Sequence, residues 1–391
     1  MGVDMPTGCR RGNLAGDERL LVDDLINVTL FVNQHRTMEM MHDRIRRARV
    51  LRGMSLDDLA QSLGDITKQG LSKFEKGEAT PNSTRLLQLA KALEVKPEYF
   101  FRADSVNLSP LEFRKLAKMP KYRQHQVEEQ MREHLERYIA LEACFDSAGI
   151  HISPPPAQFI SVSSLAQAED AADQLRKQWK IGKDAIANLT QLLEERGIKV
   201  GLIDAQDDFD GACAATLDGQ HVLIVLNTSR PGERMRFTAA HELGHWVMAL
   251  PDALPEKEKE ACCHRFAGAF LYPRDQVLLD FGSHVRSRVH PMELLNAKRR
   301  YGVSMQVALR RLKDLSLLSA AGYKSAFIQF SQAGWRSAEP EPLLPETPRR
   351  FESLVFWGLA EDLFTPSRAA EFLQRPLDTI ERGSDVLAAH E

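Results

Sequence analysis

Residues 236–248 read RFTAAHELGHWVM. His241 and His245 lie four apart, which on a helix puts both imidazoles on one face, with Glu242 beside the first. Two imidazoles and an adjacent carboxylate are the minimal set for a zinc-activated water, the histidines as ligands and the glutamate as general base. A catalytic zinc also needs a third protein ligand and an open position. Downstream, EKEKEACCHRFAGAFLYP at 256–273 offers Glu256, Glu258, Glu260, Cys262, Cys263 and His264. Ala261, Phe266, Ala267, Phe270 and Leu271 form the apolar side of a helix that Pro273 ends, and Glu260 and His264 lie one turn apart on an adjoining face. A carboxylate completes a two-histidine, one-glutamate set, so Glu260 is the expected third ligand, with His264 as reserve or neighbour. Cys262 and Cys263 read as buried small hydrophobes.

These residues need elements to hold them. Polar and apolar positions interleave from Glu233 to Val247 as in a half-buried helix, and HVLIVLN at 221–227 reads as a strand just upstream. An exposed edge of that strand would hold an extended peptide by strand addition. Gly244 lowers helix propensity and so needs a packing reason, such as the close approach of another helix. For the oxyanion of a tetrahedral intermediate, Tyr272, His284 and His290 are candidate donors, and the sequence does not choose among them.

At 391 residues the chain calls for more than one core. Its 43% hydrophobic and 27% charged content is that of a soluble globular protein, and no apolar run is long enough to suggest a membrane span. Five scattered cysteines, odd in number and without ligand-type pairs, together with no secretion signal, point to a reducing cytoplasm. The net charge of −3 decides nothing about partners, because a basic module can be masked by an acidic remainder. Composition divides the chain into an extension (1–40), a helical module (41–103), a helical linker (104–156) stopped by SPPPA at 153–157, an α+β domain (157–336) and a helical C-terminal segment (337–391).

Residues 42–101 read as five short helices with 11 Lys/Arg against 8 Asp/Glu, an excess suited to phosphate contact. Ser55 is a good N-cap with Asp57 and Asp58 in the first turn. Gly64 can end that helix and Thr67 can cap the next, which makes a helix-turn-helix. SLDDLAQSLG…KQGLSKFEKGEATPNSTRLLQLAKAL resembles the Cro/cI-type (XRE-type) helix-turn-helix family over the whole stretch. That resemblance implies operator DNA as partner, with Lys68, Gln69, Ser72 and Lys73 facing the major groove, and the dimer common among such modules.

RMRFTAAHELGH…EKEACCHRFAGAFLYP is similar to the ImmA/IrrE family of zincin-like metallopeptidases. AEDAADQLRKQWKIGKDAIANLTQLLEERGIKV, VLIVLN and YGVSMQVALRRLKDLSLL…GW fall in the family's order, so the resemblance covers roughly residues 164–336. It implies His241, His245 and Glu260 as ligands of Zn2+ or another divalent metal, and Glu242 as general base. One departure is His264, where the family commonly has asparagine; a fourth metal-capable side chain could change the metal or close the open position.

Two further stretches have plainer readings. NAKRRYGVSMQVALRRLKDLSLL at 296–318 has a second helix-turn-helix look, but Arg299, Arg300, Arg310 and Arg311 read more simply as solvated helix faces. In the linker, Val127, Met131, Leu135, Tyr138 and Leu141 recur at heptad-like intervals, as in a connecting helix or a dimer contact.

The fold expected is therefore multidomain: an all-α helix-turn-helix domain, then an α+β zincin-like domain with a small sheet and a helical tail. The function expected is a cytoplasmic DNA-binding regulator carrying a zinc peptidase domain. It would act in stress, phage or toxin-antitoxin-type circuits, by cleaving a regulatory protein or by sensing through the second domain. One rival is an enzyme whose helix-turn-helix docks a repressor or antitoxin as substrate. The other is a non-enzymatic repressor or antitoxin with a structural or vestigial metal site.

Overall fold

A computed structural model describes residues 41–102, 106–109, 119–150, 159–205 and 209–380. The expected extension (1–40) and the SPPPA boundary lie outside these. Contacts divide the chain at Ser105/Val106 into two units, whose described residues are helical in the first and α+β in the second. Among the described residues no helix is long and apolar enough to cross a membrane.

The first unit holds helix α1 (41–51), α2 (Leu56–Leu63), α3 (Lys68–Glu75), α4 (Ser83–Ala92) and a 3-10 turn, Pro97–Phe101. Its boundaries follow local chemistry. Ser55 and Asp58 form a reciprocal capping box at α2, and Gly64 ends that helix at φ 77°. The Thr67 hydroxyl accepts from Gly70 N–H at the start of α3. Ile45, Leu59, Leu71, Leu89, Leu93 and Phe100 meet in one core with no exposure. Arg49 grips Glu75 through two hydrogen bonds of 2.6 and 2.8 Å, which sets α3 against α1.

Among the described residues, the second unit holds α5 (Lys121–Ser147), β1 (Ile160–Ser161), α6 (Leu165–Gln178) and α7 (Leu189–Glu195). Then come β2 (Ile198–Ile203), β3 (Gly211–Ala215), β4 (Val222–Asn227), α8 (Gly232–Val247), β5 (Met248–Ala249) and α9 (Glu256–Leu271). Further on lie α10 (Arg274–Phe281), α11 (Pro291–Tyr301), α12 (Met305–Asp314), α13 (Ala320–Gln332), α14 (Arg350–Ala360) and α15 (Pro366–Leu373).

The main sheet has the order β2-β4-β3, with β2 parallel and β3 antiparallel to β4. This corrects the expectation that HVLIVLN offers an edge: β4 is central and hydrogen-bonded on both sides. Its unbroken apolar run has the same cause, because both faces are covered. Val222, Ile224 and Leu226 face the core that includes α6, α8 and α9, whereas Leu223 and Val225 pack with Val127, Met131 and Leu135 of α5.

Helix α5 is therefore not a free connecting segment. One side covers the sheet, and Tyr138, Leu141 and Phe145 pack with Leu354, Val355, Ala369 and Phe372 of the tail. The heptad-like residues are consumed within the chain, so they are not an open dimer contact. The tail's apolar face is buried by the same packing. The segment before it, 337–349, is also pinned to the domain. Glu339 accepts from Lys298 Nζ at 3.2 Å and from Met305 and Gln306 N–H at 2.7 and 3.0 Å, while Leu343 N–H donates to Glu233 at 3.0 Å.

The arginines of 296–318 are held by partners in the chain, which supports the reading of helices that cover the core. Arg299 meets Glu341 at 2.5 Å, Arg300 meets Asp280 at 3.3 Å and Arg310 meets Asp314 at 2.9 Å. Arg311 departs from the expected solvated face, since it is 1% exposed and bonded to Glu169.

Candidate metal centre and helix-turn-helix face

Helices α8 and α9 supply the residues that converge. Gly244 is the reason they come so close: a Cβ there would lie 2.9 Å from Cδ1 of Phe266 on α9. That is the packing role its place in the helix required. With the helices in contact, His241 and His245 on α8 face Glu260 on α9.

The geometry around these three is compact. The Nε2 atoms of the two histidines are 3.1 Å apart. One Glu260 oxygen lies 3.3 Å from His241 Nε2 and the other 3.4 Å from His245 Nε2. In four-coordinate zinc, with bonds of about 2.0–2.1 Å, neighbouring ligand atoms stand roughly 3.3 Å apart. Two imidazole nitrogens and a carboxylate at these spacings fit such an ion in number, chemistry and separation. Among the described residues, His241, His245 and Glu260 form the group that could hold one.

His264 is outside that group. Its exposed ring leans against His241, centroids 4.4 Å apart, and stacks on Phe237 at 5.9 Å and 17°. It is a wall of the site, shared between the main cleft and a side cavity of about 480 Å³.

The main cleft, about 1100 Å³, is lined by His241, Glu242, Glu260 and His264 on one side and by Trp335, Arg336 and Glu339 on another. Glu242 is 2% exposed and reaches this space from the turn that carries His241. Phe209 to Gly211, at the start of edge strand β3, also line it, so the sheet edge beside the site is β3 and not β4. Gly211 is required there, since a Cβ would meet Thr238 Cγ2 at 2.6 Å and Val225 O at 2.7 Å. Asp210 binds Arg230 and Arg234 at 2.7 and 2.6 Å. Burial would raise the Asp210 carboxyl, but the two guanidiniums, Arg234 foremost, hold it below the usual range.

None of the three expected oxyanion donors lines the cleft. Tyr272 has no exposure, and its hydroxyl donates to Asp280 at 2.6 Å. His290 caps α11. Sequence reasoning also missed one contact: the Cys263 sulfur lies 3.3 Å from His245 Nδ1. The available signal was spacing, because Cys263 stands three residues after Glu260 and so shares its helix face.

On the first unit, Lys68, Gln69 and Lys73 of α3 are exposed and Ser72 is half-buried, while Leu71 anchors the helix from behind. The Lys68 ammonium is engaged by Asp57 at 2.6 Å.

Comparison with known proteins fits both parts. A family model described as helix-turn-helix matches residues 45–100, and one described as IrrE N-terminal-like domain matches residues 194–313. The second range contains His241, Glu242, His245 and Glu260. An uncharacterized HTH-type transcriptional regulator of Sinorhizobium fredii is 42% identical over 64 residues, 16% of this chain and 43% of that one. A second from the same organism is 43% identical over 58 residues, 15% of this chain and 40% of its own. One from Rhizobium meliloti is 41% identical over 58 residues, 15% and 41% of the two chains. The chain thus spans about two fifths of the length of these curated relatives. Residues 45–100 therefore match the helix-turn-helix family and residues 194–313 the IrrE N-terminal-like family, joined in one chain.

Proposed function

We propose that this chain is a DNA-binding transcriptional regulator whose second unit is a zinc-dependent peptidase acting on a regulatory protein. The observation that carries the reading is the convergence of His241, His245 and Glu260 at a cleft that Glu242 also lines. His241, His245 and Glu260 are the ligand set. When bound, zinc supplies a Lewis acid that makes water nucleophilic near neutral pH and polarises a carbonyl. Glu242 serves as general base, taking a proton from the attacking water and delivering it to the leaving amine.

The cleft is large enough to take a stretch of peptide. The substrate class is a repressor or antitoxin, whose loss would change the genes controlled by the first unit. Two copies on paired half-sites complete the regulatory model, with their contact lying outside the apolar face of α5, which the chain itself covers.

The test compares cellular proteins exposed to the wild type and to Glu242→Gln. The substitution is expected to keep the metal and abolish hydrolysis. Equal cleavage by both forms overturns the base assignment. A metal-loaded wild type that cleaves nothing favours a structural metal in a non-enzymatic repressor.

A further inference from the structure

We propose that Cys263 is a positioning residue for His245, and that its sulfur sets which imidazole nitrogen is free to bind metal. This rests on the ligand assignment above, but not on hydrolysis. The Sγ atom lies 3.3 Å from His245 Nδ1, while Nε2 of the same ring faces His241 Nε2 at 3.1 Å and Glu260 at 3.4 Å. The two nitrogens of an imidazole point in divergent directions, so a sulfur on Nδ1 is no candidate for an ion held at Nε2.

A neutral imidazole carries one N–H, and the partner of one nitrogen decides what the other can do. A proton on Nε2 would point into the group of converging ligands and cancel that donor. The sulfur accepts the hydrogen bond from Nδ1–H and so leaves the Nε2 lone pair directed at the site. Metal-binding histidines usually have a carboxylate, carbonyl or water in this role. A sulfur is a weaker acceptor than any of these. Burial favours the bond: Cys263 has no exposure and the His245 side chain has 1%, so water does not compete for either atom.

The arrangement also couples two functions of α9. Glu260 and Cys263 lie one turn apart, so the placement of a single helix aims the carboxylate and orients the facing histidine. The Gly244–Phe266 contact sets the distance for both.

The test uses the full chain with Cys263→Val, which keeps the volume and removes the acceptor, and Cys263→Ser, which keeps an acceptor. Zinc affinity is measured by competition with a chromophoric chelator, alongside the visible spectrum of the cobalt(II) form. The valine variant is expected to bind about 10–100-fold more weakly and to show an altered cobalt spectrum, and serine to restore most of the affinity. Wild-type affinity and spectrum in the valine variant overturn the proposal. Imidazole nitrogen NMR of the metal-free wild type is an independent check: His245 is expected as the Nδ1–H tautomer, and an Nε2–H tautomer refutes the assignment. Failure of the peptidase reading has a different signature, a protein that binds zinc through His245 and hydrolyses nothing.

Discussion

Arg311 donates two hydrogen bonds to Glu169, at 2.8 and 2.6 Å, across 142 residues of chain, and both side chains are almost wholly buried. The pair ties α12 to α6. A third guanidinium bond, from Nε to Tyr272 O at 3.1 Å, anchors the end of α9. Burial would push the Glu169 carboxyl up, but Arg311, then Arg265, keeps it below the usual range. Gly268 makes room for this, because a Cβ there would meet Arg311 Cδ at 3.0 Å. Glu169→Leu strands the buried Arg311 charge and is expected to destabilise the fold by about 3–5 kcal/mol, whereas Arg311→Leu should cost less because Arg265 still meets Glu169 at 3.2 Å. Urea unfolding measures this, and a loss within about 0.5 kcal/mol would show that the pair is solvated in solution.

The Gly244–Phe266 contact sets the approach of α8 and α9, which carry His241, His245 and Glu260. Gly244→Ala is expected to cost about 1–3 kcal/mol, because the added methyl must push Phe266 or the whole of α9 away. Since α9 carries Glu260, zinc affinity should fall with it. Joint measurement of melting temperature and zinc affinity tests the link, and the double variant Gly244→Ala with Phe266→Leu should recover part of both losses.

His264 stands beside His241, His245 and Glu260, the candidate ligands, without joining them. His264→Asn is therefore expected to keep one zinc per chain, whereas His241→Ala should lose it. Elemental analysis of the purified variants distinguishes these outcomes. Loss of zinc on replacing His264 alone would mean that the ligand set is larger than the three residues assigned here.

The exposed face of α3 predicts unequal lysines. Lys73→Ala should weaken binding to operator DNA and lower the slope of log affinity against log salt by about 1. Lys68→Ala should do less, because Asp57 already neutralises that ammonium in the free protein. Fluorescence anisotropy over a salt series, with DNA from upstream of the chain's own gene, measures both slopes. Identical slopes for the two variants and wild type would remove α3 from the DNA interface.

His134 of α5 gives the second unit a dependence on acid. The ring is half-buried, and desolvation, then the Arg137 charge, pushes its pKa down from 6.5 to about 3. The unfolded chain takes up the proton near 6.5 while the folded chain does not, so this residue's contribution is fully present above that pH and is lost as pH falls toward 3. The slope amounts to roughly 1.4 kcal/mol per pH unit at most. His134→Leu should flatten the stability of the second unit between about pH 6 and pH 4, relative to wild type. Denaturant midpoints across that range decide the matter, and parallel curves for the two proteins would refute it.

Much of the site was legible because its signals are local. Capping at Ser55, Gly64 and Thr67, and the spacing of His241, Glu242 and His245, depend on neighbours within a turn of helix, and the structure agrees with them. Glu260 could be ranked above His264 because helix periodicity and ligand chemistry act together. What composition could not reveal is which surfaces meet. The run VLIVLN says that both faces of β4 are covered, yet only the fold places β4 between β2 and β3 and moves the sheet edge to Gly211. Five apolar residues at heptad-like spacing say that α5 buries a face, but the sheet and the tail, not a second chain, cover it. Arg311 looks like a solvated cation until Glu169, far away in sequence, is brought beside it. The same holds for Cys263, whose sequence neighbourhood marks a buried small residue, and which reaches His245 only because Gly244 lets two helices touch. Short-range rules determined where helices begin and which faces carry chemistry. Partner choice depended on contacts between residues distant in sequence, and those only tertiary packing could decide.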